Sequence, residues 1–133
     1  MGKPKAVFVV STFPIEESAA EVGKKLVKEG LCACISFTKV RSIYSWKGKL
    51  ENQLECIAFF KAAGGSAQAL KEALARLHPY EVPEIMEIEV SDVSMPYLSW
   101  LVKNEKRRNK SAHRVAEKRN HPAKRRNAKA NVS

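Results

Sequence analysis

The stretch from Leu77 to Ile85 reads "LHPYEVPEI" and sets one imidazole beside two carboxylates, Glu81 and Glu84, on a segment stiffened by Pro79 and Pro83. Of the three histidines, His113 and His121 lie in a C-terminal stretch of different composition, so His78 stands alone in the body of the chain. One nitrogen with two or three carboxylate oxygens suits zinc, nickel or copper(II), because imidazole favours those ions and carboxylates tolerate them. Glu55, opposite in phase to Cys56 on an apolar stretch, is a further donor, so the candidate metal set is His78, Glu55 and Glu84. The competing reading is structural. A protonated imidazole at a helix C-terminus gains a favourable dipole interaction and needs no ligand.

Other side chains invite the same double reading. The aromatics Tyr44, Trp46, Tyr80, Tyr97 and Trp100 either line a cleft between subunits or pack, as large aromatics do in cores and obligate interfaces. Lys61, at the polar end of an apolar strand, either pairs with an acid such as Glu55 or draws an anionic ligand into that cleft. Cys32, Cys34 and Cys56 form an odd set without CxxC spacing, which reads as reduced thiols packed in a core. A Cys56–His78 nucleophile pair requires the two to meet in space, and an apolar strand around Cys56 should raise its thiol pKa. GxSxG, HExxH and Walker patterns are missing, so no enzyme activity is expected.

The elements that must position these residues follow from periodicity. "AVFVVS" is apolar on both alternating faces and reads as a buried strand. "FPIEESAAEVGKKLVKEG" has Ile15, Ala19, Val22, Leu26 and Val27 at helical spacing, with acids first, lysines last and Gly30 as the stop. "LCACISF" and "RSIYSWKGKLE" read as two extended segments, with a turn at "KGK", and "QLECIAFFKA" as a strand apolar on both sides. Ser66 is a candidate N-cap for a second helix bearing Leu70, Leu74 and Leu77, which must end at His78 because Pro79 disfavours helical geometry before it. "PEIMEIEV" reads as the last strand and "MPYLSWLVKNEK" as a short helix presenting Leu98, Leu101 and Val102. The order βαββαβ plus a terminal helix predicts an α+β, ferredoxin-like fold. Both long helices then cover one sheet face, and the apolar opposite face predicts self-association.

The net charge of +10 is unevenly placed: the body is neutral, and the stretch from Lys103 onward carries all of it. Residues 1–105 are expected to form one domain, with 106–133 a basic tail that is disordered alone and contacts nucleic acid, if anything, through phosphates. Removal of the tail after Lys103 is expected to leave folding and assembly unchanged. No apolar run approaches the length of a membrane span, and the N-terminus is too soon polar for a signal peptide, so no membrane partner and a cytoplasmic location are expected.

"STFP" after the first strand, "LCACI", "SIYSWKGKLE", "LHPYEVPEI" and "YLSWL" stand in the order and spacing of the CutA family of divalent-cation tolerance proteins, which the chain resembles over residues 6–102. The resemblance implies a homotrimer of ferredoxin-like subunits, similar in architecture to the PII signalling proteins. It also implies tolerance or binding of divalent cations, copper or zinc among them, or small-ligand sensing at clefts between subunits, with no organic cofactor. The alternative is a scaffold trimer whose basic tail binds nucleic acid. The chain departs from the family pattern at Ser11, where some members carry a cysteine proposed as a copper ligand, which weakens soft-metal binding. It also departs at Lys61-Ala62, where Lys-Thr is usual, and near Lys39, where a proline is common.

Overall fold

The computed structural model describes residues 5–105. The basic tail, 106–133, lies outside the described residues. Strand β1 (Ala6–Phe13) is followed by helix α1 (Glu16–Lys28), a hairpin of β2 (Cys34–Trp46) and β3 (Lys49–Ala63), helix α2 (Ala67–Leu77) and strand β4 (Met86–Val90). A last helix, α3, spans residues 95–105. The sheet order is β2-β3-β1-β4, with every pairing antiparallel. This is the ferredoxin-like arrangement that the sequence predicts.

The core lies between the helices and one sheet face. Val7, Val9 and Phe13 of β1 and Cys56, Ala58, Phe60 and Ala62 of β3 meet Ala19, Val22 and Leu26 of α1 and Leu70, Ala73 and Leu74 of α2. Two-residue periodicity sends the alternate residues to the other face, where Phe8 meets Phe59 edge-on at 6.1 Å and Met86 and Ile88 remain exposed. Gly23 lets α1 approach closely, since a Cβ there would fall 2.7 Å from the Cδ1 of Ile35. Helix α1 ends in a Schellman motif: Gly30 at φ 75° donates its N–H to Val27 O, and Leu31 donates to Leu26 O, both at 3.0 Å.

The hairpin is longer than the sequence suggests. Cys34–Phe37 of "LCACISF" and Arg41–Trp46 of "RSIYSWKGKLE" belong to one uninterrupted strand, because β2 pairs with β3 continuously from Cys34↔Lys61 to Trp46↔Lys49. Lys47 and Gly48, at φ 51° and 80°, make the two-residue turn whose twist matches the strands. Strand β1 accompanies β3 only to Phe13↔Cys56, so residues 40–46 and 49–55 continue as a two-stranded arm. At ~3.3 Å per residue the arm is roughly 20 Å long, and it carries Ile43, Leu50 and Leu54 exposed.

Three expectations need correction. Ser66 sits at the head of α2 in helical geometry and makes no side-chain cap bond, because a 3-10 turn, Gly64–Ser66, already leads into the helix. Its hydroxyl donates instead to Glu105 Oε1 at 2.6 Å. Helix α3 buries Leu101 and Glu105, while Val102 is exposed. Glu105 also accepts the Ala63 N–H at 3.0 Å, so removal after Lys103 would cut into the domain. Finally, β4 begins at Met86, not at Pro83. Residues 78–85 are irregular, and they build the site.

Candidate functional site

Helix α2 stops at His78, whose backbone is extended at φ −70°, ψ 138° as the following proline demands. The imidazole turns inward, is fully buried, and stacks on Phe13 with ring centroids 4.3 Å apart. Its Nδ1 accepts the Tyr80 N–H at 3.1 Å, and its Nε2 lies 3.0 Å from Ser11 Oγ. A backbone N–H can only donate, so Nδ1 carries no proton and Nε2 does. The ring is the neutral tautomer, donating to Ser11. The protonated, dipole-stabilised histidine of the structural reading is therefore replaced by a neutral one held by two hydrogen bonds. This tautomer is also the opposite of what a general base toward Ser11 requires.

The chain then crosses from the helix face to the open face around the end of β1. His78 touches Ser11 on the core side, and Glu84 approaches Thr12 on the other, with a long 3.5 Å contact from Thr12 Oγ1. Between them Tyr80, packed against the His78 ring at 5.1 Å, reaches past the strand and donates its phenol to Glu55 Oε2 at 2.6 Å. A bond this short to a buried carboxylate is charge-assisted. Burial first, and then the Glu55 carboxylate, push the Tyr80 phenol upward; the same two causes raise Tyr44.

These residues border an open cleft of about 330 Å³ between the end of β1, the loop and the arm. Glu55, Glu84, Tyr44, Trp46 and Tyr80 all line it. Thr12 and Ser42 add hydroxyls that the sequence reading missed, although Ser42 shares its strand face with Tyr44 and Trp46. Among the described residues no lysine or arginine lines it. Two anticipated members lie elsewhere. Lys61 is six residues along β3 from Glu55, in register between Phe8 and Cys34, and Trp100 is exposed on α3, stacked on Tyr97 at 5.5 Å. For Lys61 this follows from the antiparallel register, which carries the end of β3 away from the arm, and for Trp100 from its place on α3.

His78 does not join Glu55 and Glu84 as a donor set, since its ring is engaged behind the cleft wall. Among the described residues, no group of three or more His, Cys, Asp or Glu side chains is placed to hold a metal ion. The carboxylates of Glu55 and Glu84 are the anionic oxygens that face the cleft. Cys56 does not form a nucleophile pair with His78: its thiol points to Ile57 O at 4.0 Å, and burial, then the Glu16 charge, raise its pKa. All three cysteines are free, and burial pushes the Cys32 thiol up to about 12. Among the described residues no helix is long and apolar enough to cross a membrane.

The model of the CutA1 divalent ion tolerance protein family matches residues 7–104. The divalent-cation tolerance protein CutA of Pyrococcus horikoshii is 43% identical over 101 residues, which cover 76% of this chain and 99% of that protein. The crystal structure of CutA1 from Pyrococcus horikoshii superposes with a TM-score of 0.72 at 42% identity, covering 74% of this chain and 96% of that one. A CutA from Archaeoglobus fulgidus, described as a periplasmic divalent cation tolerance protein, has a TM-score of 0.73 at 24% identity, covering 75% and 98% of the two chains. These relatives are named for cation tolerance and not for a reaction.

Proposed function

Because the chain belongs to the CutA1 divalent ion tolerance family, we propose that it takes divalent cations in the cleft beside the arm, with Glu55 and Glu84 as the donors. The observation that carries this reading is Glu55: a buried carboxylate whose partner is a neutral phenol, in a cleft lined by a second carboxylate and, among the described residues, by no lysine or arginine. Two carboxylates facing one cleft attract a cation. Carboxylate oxygens suit zinc and copper(II) without selecting for soft copper(I), and Ser11 offers no thiolate. His78 serves the site indirectly, holding Tyr80 where its phenol fixes Glu55.

Two carboxylates alone make an open site, and a second copy of the chain supplies what is missing. The exposed Met86 and Ile88 on the open sheet face, and Ile43, Leu50 and Leu54 on the arm, support a homotrimer in which neighbours close the cleft. Free cysteines suit a reducing compartment, which supports a cytoplasmic location. Nucleic-acid contact through the basic tail is the second reading, supported by the +10 charge.

Calorimetric titration of zinc and copper(II) into the wild type, Glu55→Gln and Glu84→Gln tests the site. Each substitution should weaken binding by at least about tenfold, the loss of one charged ligand. Unchanged affinity in both would move the cation elsewhere. Light scattering at the trimer mass tests the assembly, and a monomer mass would refute it.

A further inference from the structure

The basic residues at the C-terminal end of the chain keep the period of the helix that precedes them. Lys103, Arg107, Lys110, Arg114 and Lys118 follow one another at intervals of four, three, four and four. At 3.6 residues per turn all five fall within an arc of about 80°. Leu101 and Glu105, the buried residues of α3, fall on the opposite side of the same wheel. The stripe therefore prolongs the exposed face of α3, on which Lys103 already stands. Pro122 bounds it, because a proline disfavours helical geometry in the residue before it. Glu105 is the fixed point from which the stripe departs. It is 3% exposed and accepts the Ala63 N–H at 3.0 Å and the Ser66 hydroxyl at 2.6 Å, which ties the last turn of α3 to the end of β3 and the head of α2. Starting a helix is costly and lengthening one is not, so a held last turn supplies the costly part.

We propose that the segment following Glu105 binds duplex DNA as a continuation of α3, with Arg107, Lys110, Arg114 and Lys118 on backbone phosphates. This rests on the reading of the tail as a nucleic-acid contact, and it names the partner and the way it is held. A helix 10–12 Å across fits a major groove ~12 Å wide. At ~1.5 Å per residue the stripe runs roughly 22 Å along it, a line of positive charge against the closely spaced phosphates of a duplex. Phosphate contacts offset the entropy of ordering the segment, as in other segments that fold on binding. A basic helix can instead lie on an anionic membrane, but only by burying an apolar face. The side opposite the stripe carries Ala112, Val115 and Ala116 together with Arg108 and Arg119, which is too little hydrocarbon to enter a bilayer. Phosphates need charge alone.

The test is fluorescence anisotropy of a short labelled DNA duplex of mixed sequence, titrated at several salt concentrations with the full chain and three full-length variants. Arg107→Ala/Arg114→Ala removes two charges from the stripe, and Arg108→Ala/Arg119→Ala removes the same two charges from the other side. Ala112→Pro keeps every charge and breaks a helix that runs through it. The stripe variant should lower the slope of log affinity against log salt by about 2, one for each lost phosphate contact. The off-stripe variant should keep a slope close to that of the full chain. Ala112→Pro should weaken binding at least about tenfold. Equal losses in the two arginine pairs, or an Ala112→Pro chain that binds like the wild type, overturn the proposal and leave a nucleic-acid contact that depends on charge alone. Vesicles of phosphatidylserine and phosphatidylcholine serve as the competing surface, and tighter binding to them than to the duplex at equal phosphate overturns the choice of partner. A full chain that binds no duplex overturns both this inference and the nucleic-acid reading of the tail.

Discussion

Replacing His78 by alanine separates the two roles that an imidazole could hold here. The ring is fully buried, stacked on Phe13, and satisfies both the Ser11 hydroxyl and the Tyr80 N–H. Removing it leaves two buried polar groups unpaired at about 1–3 kcal/mol each. It also opens a cavity beside Phe13, for which several tens of Å³ add about 1 kcal/mol or more. Partial relaxation and water entry reduce the sum, so a loss of about 3–5 kcal/mol is expected. For a domain of this size that lowers Tm by roughly 10–30 °C. The assay is thermal unfolding at one fixed protomer concentration, because an oligomer's Tm depends on it, joined to a zinc titration of the variant at a temperature where it is folded. His78→Gln, which can offer an acceptor and a donor, should recover part of the loss. A variant that keeps the wild-type Tm but loses zinc binding would refute the reasoning and make His78 a ligand.

Further outcomes follow from other contacts. Gly23→Ala should destabilise by about 1 kcal/mol in urea unfolding despite alanine's better helix propensity, because the new Cβ meets Ile35 at 2.7 and 2.9 Å; stabilisation would mean that α1 has room to shift. Glu105, raised from 4.5 to about 6 by burial against the opposing hydrogen bonds from Ser66 and Ala63, binds its proton more tightly folded than unfolded. Its contribution is therefore full below pH 4.5 and is lost as pH rises through about 6. Glu105→Gln should remove that part of the fall in Tm between pH 5 and 7.5, and an identical pH profile would refute it. A chain ending at Lys106 should unfold like the full chain, whereas one ending at Lys103 should lose about 2 kcal/mol with the two Glu105 bonds. The proposed donors, Glu55 and Glu84, are carboxylates, so zinc affinity should change little between pH 7.5 and 6; a steep drop centred near the ordinary histidine value, about 6.5, would contradict that donor set.

Local pattern made most of the fold readable. The two-sided apolarity of "AVFVVS" and "CIAFF" marked β1 and β3 as central, Pro79 fixed the end of α2, and "KGK" marked the turn. What local pattern could not show was extent. Nothing between Phe37 and Arg41 announces that two extended segments are one strand, because continuity there is decided by pairing with β3. Ser66 illustrates the same limit, since its cap chemistry was legible and its partner, Glu105, lies 39 residues away. Within the site, Glu55, Glu84, Tyr44, Trp46 and Tyr80 were chosen for their chemistry and do converge on one cleft. Lys61 and Trp100 were chosen on the same grounds and do not, because antiparallel register and the placement of α3 are long-range facts.

The burial of His78 bears on why such a segment carries an imidazole at all. To coordinate a metal, the ring would have to surrender one of its two hydrogen bonds and swing off Phe13, leaving Ser11 or the Tyr80 N–H buried and unpaired. That penalty, about 1–3 kcal/mol before the lost stacking, would be subtracted from every binding event. A ring kept neutral and fixed works differently. It satisfies a hydroxyl at the end of β1 and the first free N–H after α2 with one rigid group, and so sets the direction in which the loop leaves the helix. Pro79 and Pro83 then limit the paths that the loop can follow. Tyr80 is thereby directed toward Glu55, to which its phenol donates at 2.6 Å. The imidazole acts on the cleft through the position of a phenol, and the negative charge that lines the cleft belongs to the carboxylates.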